Sequence, residues 1–149
     1  MTKMTADELA RACAKAMWDE DKASAGLGMA ITAVAPGQAE ITMTISEAMV
    51  NGHGTCHGGY IFTLADSAFA FACNSRNHRT VAQHCSITFL APGRLGDKLR
   101  AVAREASRTG RSGIYDIDIF NQEDVKIAIF RGHSRMVKGE FFPGAVLEG

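Results

Sequence analysis

Behind Thr5 and Glu8, a capping-box pair, the apolar residues Leu9, Ala12, Cys13, Ala16 and Met17 recur at helical spacing. The pattern predicts an amphipathic helix over about residues 6–22, stopped by Gly26 and Gly28. Two strand-like runs follow at 29–35 and 39–45, joined by the turn Pro36-Gly37-Gln38. In the second, Thr42 and Thr44 alternate with Ile41, Met43 and Ile45, as in a sheet with one buried face. Residues 46–59 read as a loop rich in glycine and histidine.

The segment 59–73, GYIFTLADSAFAFAC, carries apolar groups on every side, which predicts a helix buried all round. It falls short of the roughly 20 residues that a membrane span needs, so it reads as a core helix. Beyond it, residues 80–91 alternate through Val81, Gln83, Cys85, Ile87 and Phe89. A loop at 92–97 leads to a strand at 98–107. Thr109-Gly110-Arg111 turns into a strand at 112–120, and Asn121-Gln122-Glu123-Asp124 turns into one at 125–137. Long runs with short connections predict a strongly bent antiparallel meander. One central helix wrapped by five to six strands and preceded by an N-terminal helix within 1–26 makes a single α+β domain over 1–149. Residues 138–149 show no periodicity and read as a flexible tail.

Composition narrows the function classes. With 149 residues, 46% apolar and 21% charged, the chain can bury a core. Sixteen basic residues balance sixteen acidic ones, so no global field recruits nucleic acid or an anionic membrane. Asp7, Glu8, Arg11 and Lys15 in the first twenty residues do not suit a signal peptide. Cys13, Cys56, Cys73 and Cys85 lack Cys-x-x-Cys spacing and read as reduced thiols of a cytoplasmic protein.

Asp66 is the only charged residue between Gly58 and Asn74. Burying an unpaired carboxylate costs several kcal/mol, so it either pairs with a hidden Arg or strand amides, or serves as a general base or nucleophile. Just upstream, His57-Gly58-Gly59 opens the helix. Free N–H groups at a helix start can hold a carbonyl oxygen that gains negative charge, although a glycine hinge is equally common there. Asp66 lies about 12 Å along the axis from Gly58 at roughly 1.5 Å per residue. If both serve one reaction, Asp66 must come from a second copy of the chain, which predicts an obligate homodimer with shared sites. Asn51 could orient water or a carbonyl, or only form an Asn-Gly turn. His57 could assist the oxyanion or fix the loop, and Ser67 could touch substrate or bond back to its own turn.

Competing chemistries start from His53, Cys56 and His57, which could hold zinc with a fourth group, and from Cys56 as a thiolate nucleophile. No second ligand pair has metal-site spacing, so neither a metal nor a cofactor is expected. Of the late bases Arg94, Lys98, Arg100, Arg104, Arg108, Arg111, Arg131, Arg135 and Lys138, most read as solvated strand faces. Arg108 and Arg111 flank a turn where they could meet phosphates.

The run NGHGTCHGGYIFTLADSAFAFACN, together with VAQHCSITFLAPGRLGDKL, RTGRSGIYDIDI and IAIFRGHSR, resembles the hotdog-fold acyl-CoA thioesterases, closely the PaaI type of phenylacetic acid degradation. The likeness extends over about residues 27–135. It implies a long helix wrapped by an antiparallel sheet, dimers that pair into homotetramers, and metal-free hydrolysis of aryl- or hydroxyarylacetyl-CoA. Carried over, Gly58 would polarise the thioester carbonyl beside Gly59, with Asn51 and His57 in support. Asp66 from the partner would activate water or attack the carbonyl. Where the family often has Thr, this chain has Ser67. Coenzyme A is expected near Arg108 and Arg111. Two other readings compete: an acyl-CoA-binding sensor without chemistry, and a hydroxyacyl-thioester dehydratase, which the lack of histidine in the central helix disfavours.

Overall fold

The computed structural model describes residues 3–148, with elements in the order β1 (Lys3–Met4), α1 (Ala6–Trp18), α2 (Lys22–Gly26), β2 (Ala30–Ala35), β3 (Gln38–Thr44), α3 (Gly58–Cys73), β4 (His78–Phe89), β5 (Lys98–Thr109), β6 (Ser112–Phe120), β7 (Lys126–Glu140) and β8 (Val146–Leu147). The capping box at α1 forms as expected. Thr5 Oγ1 accepts from the Glu8 N–H and Glu8 Oε1 accepts from the Thr5 N–H, both at 3.1 Å. The helix ends at Trp18, however, not near residue 22. Asp21 caps a separate short helix instead: its Oδ1 accepts from the Ser24 N–H at 3.0 Å and its Oδ2 from the Ser24 hydroxyl at 2.6 Å. A carboxylate that competes for backbone donors starts a new helix in place of the old one.

Six strands form one antiparallel sheet in the order β2-β3-β5-β6-β7-β4, wrapped around α3 in the expected hotdog arrangement. Register shifts in β2, β4 and β5 supply the bend. One face of α3 buries Ile61, Leu64, Ala65, Ala68, Phe69, Phe71 and Ala72 against the concave side of the sheet. Phe69 packs so tightly on β7 that a Cβ at Gly132 would stand 2.7 Å from its ring.

The expected meander holds only for β5, β6 and β7. β4 follows α3 to the far edge, and the 90–97 loop brings the chain back beside β3, where the Ile45 N–H donates to Asp97 O and Ile45 O accepts from the Gly96 N–H. As an edge strand, β4 leaves Val81 49% and Phe89 50% exposed, although its alternation predicts a buried face. The tail also differs from expectation. β7 continues to Glu140, and Val146–Leu147 pairs in parallel with Lys3–Met4. The Asn77 side chain holds Phe142 through both its carbonyl and its amide, at 2.8 and 2.9 Å. Side-chain bonds and a two-residue pairing leave no periodicity for a sequence pattern to report. No described helix is long and apolar enough to cross a membrane.

Candidate active site

His57 sits at the N-cap of α3, and its Nδ1 accepts the Gly59 N–H at 2.9 Å. The Nδ1 lone pair of His57 is thereby committed to the first turn of the helix. The His57 and Cys56 N–H groups bond to Met49 O and Gly93 O, both at 2.8 Å, and pin the entrance. The Gly58 N–H has no acceptor among the described residues. It is thus an unspent donor at the positive end of the helix dipole. A Cβ at Gly58 would lie 2.8 Å from Phe89 Cζ, so the close approach of that ring, not a special backbone angle, requires glycine.

Two turns further on, Asp66 is half-buried and makes no hydrogen bond or ion pair with any described residue. The hidden Arg that a structural role would need is not there. Burial pushes the Asp66 carboxyl above the ordinary carboxylate value. Its charge in turn adds to the effect of burial on Cys73, pushed up to about 12, and on Cys85. Phe62, Asp66, Ala70 and Cys73 recur at helical spacing as a half-buried stripe along α3, with the Phe62 ring leaning on Phe130 of β7.

Asn51 takes up its role in the turn. Its Oδ1 accepts from the N–H groups of His53 and Thr55 and from the Thr55 hydroxyl, at 2.9, 3.3 and 3.3 Å, which organises the loop. Its amide nitrogen has no acceptor among the described residues. Ser67 departs from expectation: its hydroxyl lies 2.8 Å from that of Ser24, so it ties α3 to α2 rather than facing along the Asp66 stripe. The 100° step per residue of a helix separates the two neighbours.

Arg108 and Arg111 line a small cleft with Arg76 and His78 at the C-terminal end of α3. Neither forms an ion pair among the described residues, whereas Arg100, Arg104 and Arg131 are engaged by Glu40, Asp118 and Asp116 on the sheet surface. The cleft and Gly58 lie at opposite ends of α3 within one chain. His53, Cys56 and His57 do not converge: among the described residues no three His, Cys, Asp or Glu side chains could hold a metal ion. Burial pushes the Cys56 thiol up, which opposes a thiolate nucleophile. Of the aromatics on α3, Phe69 and Phe71 are core, Phe62 stacks edge-on against Phe130 at 5.2 Å, and Tyr60 meets His57 at 6.2 Å. Phe89 and Leu90 lie beside Gly58, and the sequence pattern gives them no functional mark. The only signal was two adjacent apolar residues closing an alternating strand.

Residues 53–128 match the family model of the thioesterase superfamily. The acyl-coenzyme A thioesterase PaaI of Escherichia coli is 45% identical over 126 residues, covering 85% of this chain and 90% of that protein. The solved structure of the E. coli PaaI protein superposes with a TM-score of 0.90 at 43% identity, covering 91% of this chain and 99% of that one. A Streptococcus mutans protein solved with acetyl CoA superposes at 0.73 with 25% identity, over 75% of this chain and 90% of its own. The chain therefore belongs to the thioesterase superfamily, as a hotdog-fold enzyme of the PaaI type.

Proposed function

We propose that the chain hydrolyses phenylacetyl-CoA or hydroxyphenylacetyl-CoA to the free acid and coenzyme A in the cytoplasm, without a metal, in sites shared between two copies. The observation that carries this reading is Asp66: a half-buried carboxylate with no partner in its own chain, on the helix whose first N–H is also unspent. About 12 Å of helix separates the two at roughly 1.5 Å per residue, too far for one reaction within one chain. The half-buried Phe62–Cys73 stripe and the exposed apolar edge of β4 provide the surface on which a second copy packs. Two such dimers then form the tetramer.

In this mechanism the Gly58 N–H holds the thioester carbonyl oxygen, with His57 fixing the backbone and the Asn51 amide steering the water. The partner's Asp66 removes a proton from that water as its oxygen bonds to the carbonyl carbon. Negative charge collects on the oxygen held by Gly58. Collapse breaks the carbon–sulfur bond, and the thiolate of coenzyme A takes the proton back. In the nucleophilic variant, Asp66 itself bonds to the carbonyl carbon and expels the coenzyme A thiolate, and water then opens the anhydride and supplies the thiolate's proton. If a two-fold axis brings Asp66 to the other chain's Gly58, the C-terminal turn of the first chain's α3 falls beside the second chain's loop at 51–57. Arg108 and Arg111 then approach the entrance from the chain that supplies Asp66, placed for the phosphates of coenzyme A. Neither makes an ion pair among the described residues, although the charge of Arg108 is felt by the Glu105 carboxylate.

Free-thiol release from phenylacetyl-CoA and its hydroxylated analogue tests the reaction. Mixing Asp66→Asn with Gly58→Val chains tests the shared site, since hybrid dimers should regain one working centre. Hybrids that form and stay inactive overturn sharing, and no turnover of any acyl-CoA overturns hydrolysis. Single-turnover hydrolysis in oxygen-18 water separates the two roles of Asp66, because label in its carboxylate marks the anhydride route.

A further inference from the structure

At the sheet edge opposite β4, a groove of about 500 Å³ opens between α1 and β2. Arg11, Ala14, Lys15 and Trp18 recur at helical spacing and form one wall. The other is Met29 with residues 30–34 of β2, six positions in a row. Side chains of a strand alternate between faces, so an unbroken run of lining residues means that the groove follows the open edge of the strand. Its floor is apolar: Ala14 and Met29 are buried, and Trp18, Ile31 and Val34 are half-buried. The Trp18 ring leans on Phe71 of α3 at 6.3 Å, which holds it from behind. Two cations stand at the rim, one turn apart and both exposed. Arg11 makes no ion pair among the described residues, and Glu8, one turn earlier, is spent on the Thr5 N–H at 3.1 Å. Lys15 meets only Asp19, at 2.9 Å, in an exposed pair that contributes little. No acidic side chain among the described residues lines the groove.

We propose that this groove binds an amphipathic monocarboxylate, an acid with an aryl or medium-length alkyl body, at a site separate from the thioester centre. The body lies on Trp18, Met29 and Ile31 and leaves water there, at roughly 25 cal/mol per Å² removed. The carboxylate meets the Arg11 fork and the Lys15 ammonium at the rim. An apolar concavity with a few polar groups gathered on one side is the usual make-up of a small-ligand site. Two other occupants fit less well. An extended peptide needs an even row of backbone groups along β2, but the register shift between Ile31 and Ala33 breaks that row. The Thr32 hydroxyl at the break turns back to Glu40 Oε2 at 2.7 Å. A second copy in a two-fold contact brings against Arg11 and Lys15 a patch whose own lining holds no acid. The acids released by the proposed hydrolysis belong to the class that the groove selects, yet its chemistry stands without that reading.

Trp18 is the only tryptophan in the chain, so its emission reports on the groove directly. The experiment titrates the native chain with phenylacetate and hexanoate, and with phenylacetamide, which keeps the body and lacks the charge. The comparison is Arg11→Gln/Lys15→Gln, a change at two exposed positions that leaves the core intact. We expect a saturable shift of emission with both acids, at least about fivefold tighter than with the amide. In the double variant acid binding should weaken about tenfold, the scale of a lost charge-assisted bond, while the amide binds as before. Acyl-CoA turnover should be equal in the two chains. No saturable shift up to about 10 mM acid, or equal binding of acid and amide, overturns the proposal. So does an emission that shifts with protein concentration alone, which marks an interface between copies. A loss of turnover in the double variant puts the cations at the thioester centre and overturns it as well. Binding is read without turnover, so an absence of hydrolysis in both chains sinks the hydrolytic reading and leaves this one standing.

Discussion

At its C-terminal end α3 runs into Asn74, Ser75, Arg76 and Asn77, and every one of these side chains finds partners. The Asn74 amide bridges Ala70 O and Thr80 O, Ser75 Oγ accepts the Gly37 N–H at 2.7 Å, and Arg76 grips Glu105 at 2.6 Å. Glu105 in turn accepts from the Tyr115 hydroxyl at 2.9 Å. At the other end, the Gly58 N–H, the Asn51 amide nitrogen and, two turns on, Asp66 find none among the described residues. Both ends sit against the same core, so the contrast is not one of exposure alone. A fold satisfies buried polar groups where nothing else will, and leaves them open where a substrate or a second chain supplies the partner.

The largest effect expected from breaking this contrast is at Asp66. Asp66→Asn should cut thioester hydrolysis by at least about 100-fold, the typical scale of a lost general base. Because burial favours the protonated form in the folded state, ionising Asp66 opposes folding. That cost is absent below the unfolded carboxyl value and fully present above the raised folded one. The neutral variant should therefore match or exceed the native Tm at pH 7, by about 2 °C. A lower Tm would mean the carboxylate has a stabilising partner after all. The acid limb of native kcat/KM should have its midpoint above the usual aspartate value of about 3.9 and vanish in any residual activity of the variant.

Next in size is Gly58→Ala, whose Cβ would displace the Phe89 ring. Turnover should fall about 10- to 100-fold through misplacement of the oxyanion donor. Phe89→Leu in the same chain should restore part of it. If it restores none, the contact with Phe89 is not what requires glycine.

At the satisfied end, mutations should cost stability and spare the chemistry. Burial raises the Glu105 carboxyl, but the bonds from Arg76 and Tyr115 outweigh it and hold the group below its ordinary value. Its contribution is thus present above the unfolded value and lost as pH falls through the lowered folded one. Glu105→Gln should cost about 2 kcal/mol in urea unfolding at pH 7, with a smaller difference under acid conditions. A fall in kcat for the still-folded variant would give Glu105 a part in the chemical step, whereas a rise in KM alone would act through the neighbouring Arg108 cleft. The smallest effect belongs to Asn77→Ala, which should cost about 1 kcal/mol and expose the tail to limited proteolysis, since Asn77 is what holds Phe142.

Much of the architecture was legible in the chain. A helix apolar on all sides, a capping box and alternating strands are local patterns, and local patterns survive folding wherever a segment's environment is uniform along its length. Asp66 stood out for the same reason: one charge in an apolar helix needs no coordinates to be noticed. What only the tertiary structure decided is pairing across distance. It moved β4 to the sheet edge, cut the first helix at Trp18 through the cap at Asp21, and tied the aperiodic tail to Asn77. It also turned Ser67 toward Ser24, separated the unpaired Arg108 and Arg111 from the neutralised sheet arginines, and set Phe89 against Gly58. Each of these depends on which distant group lies within hydrogen-bond or van der Waals reach, and sequence spacing carries no record of that.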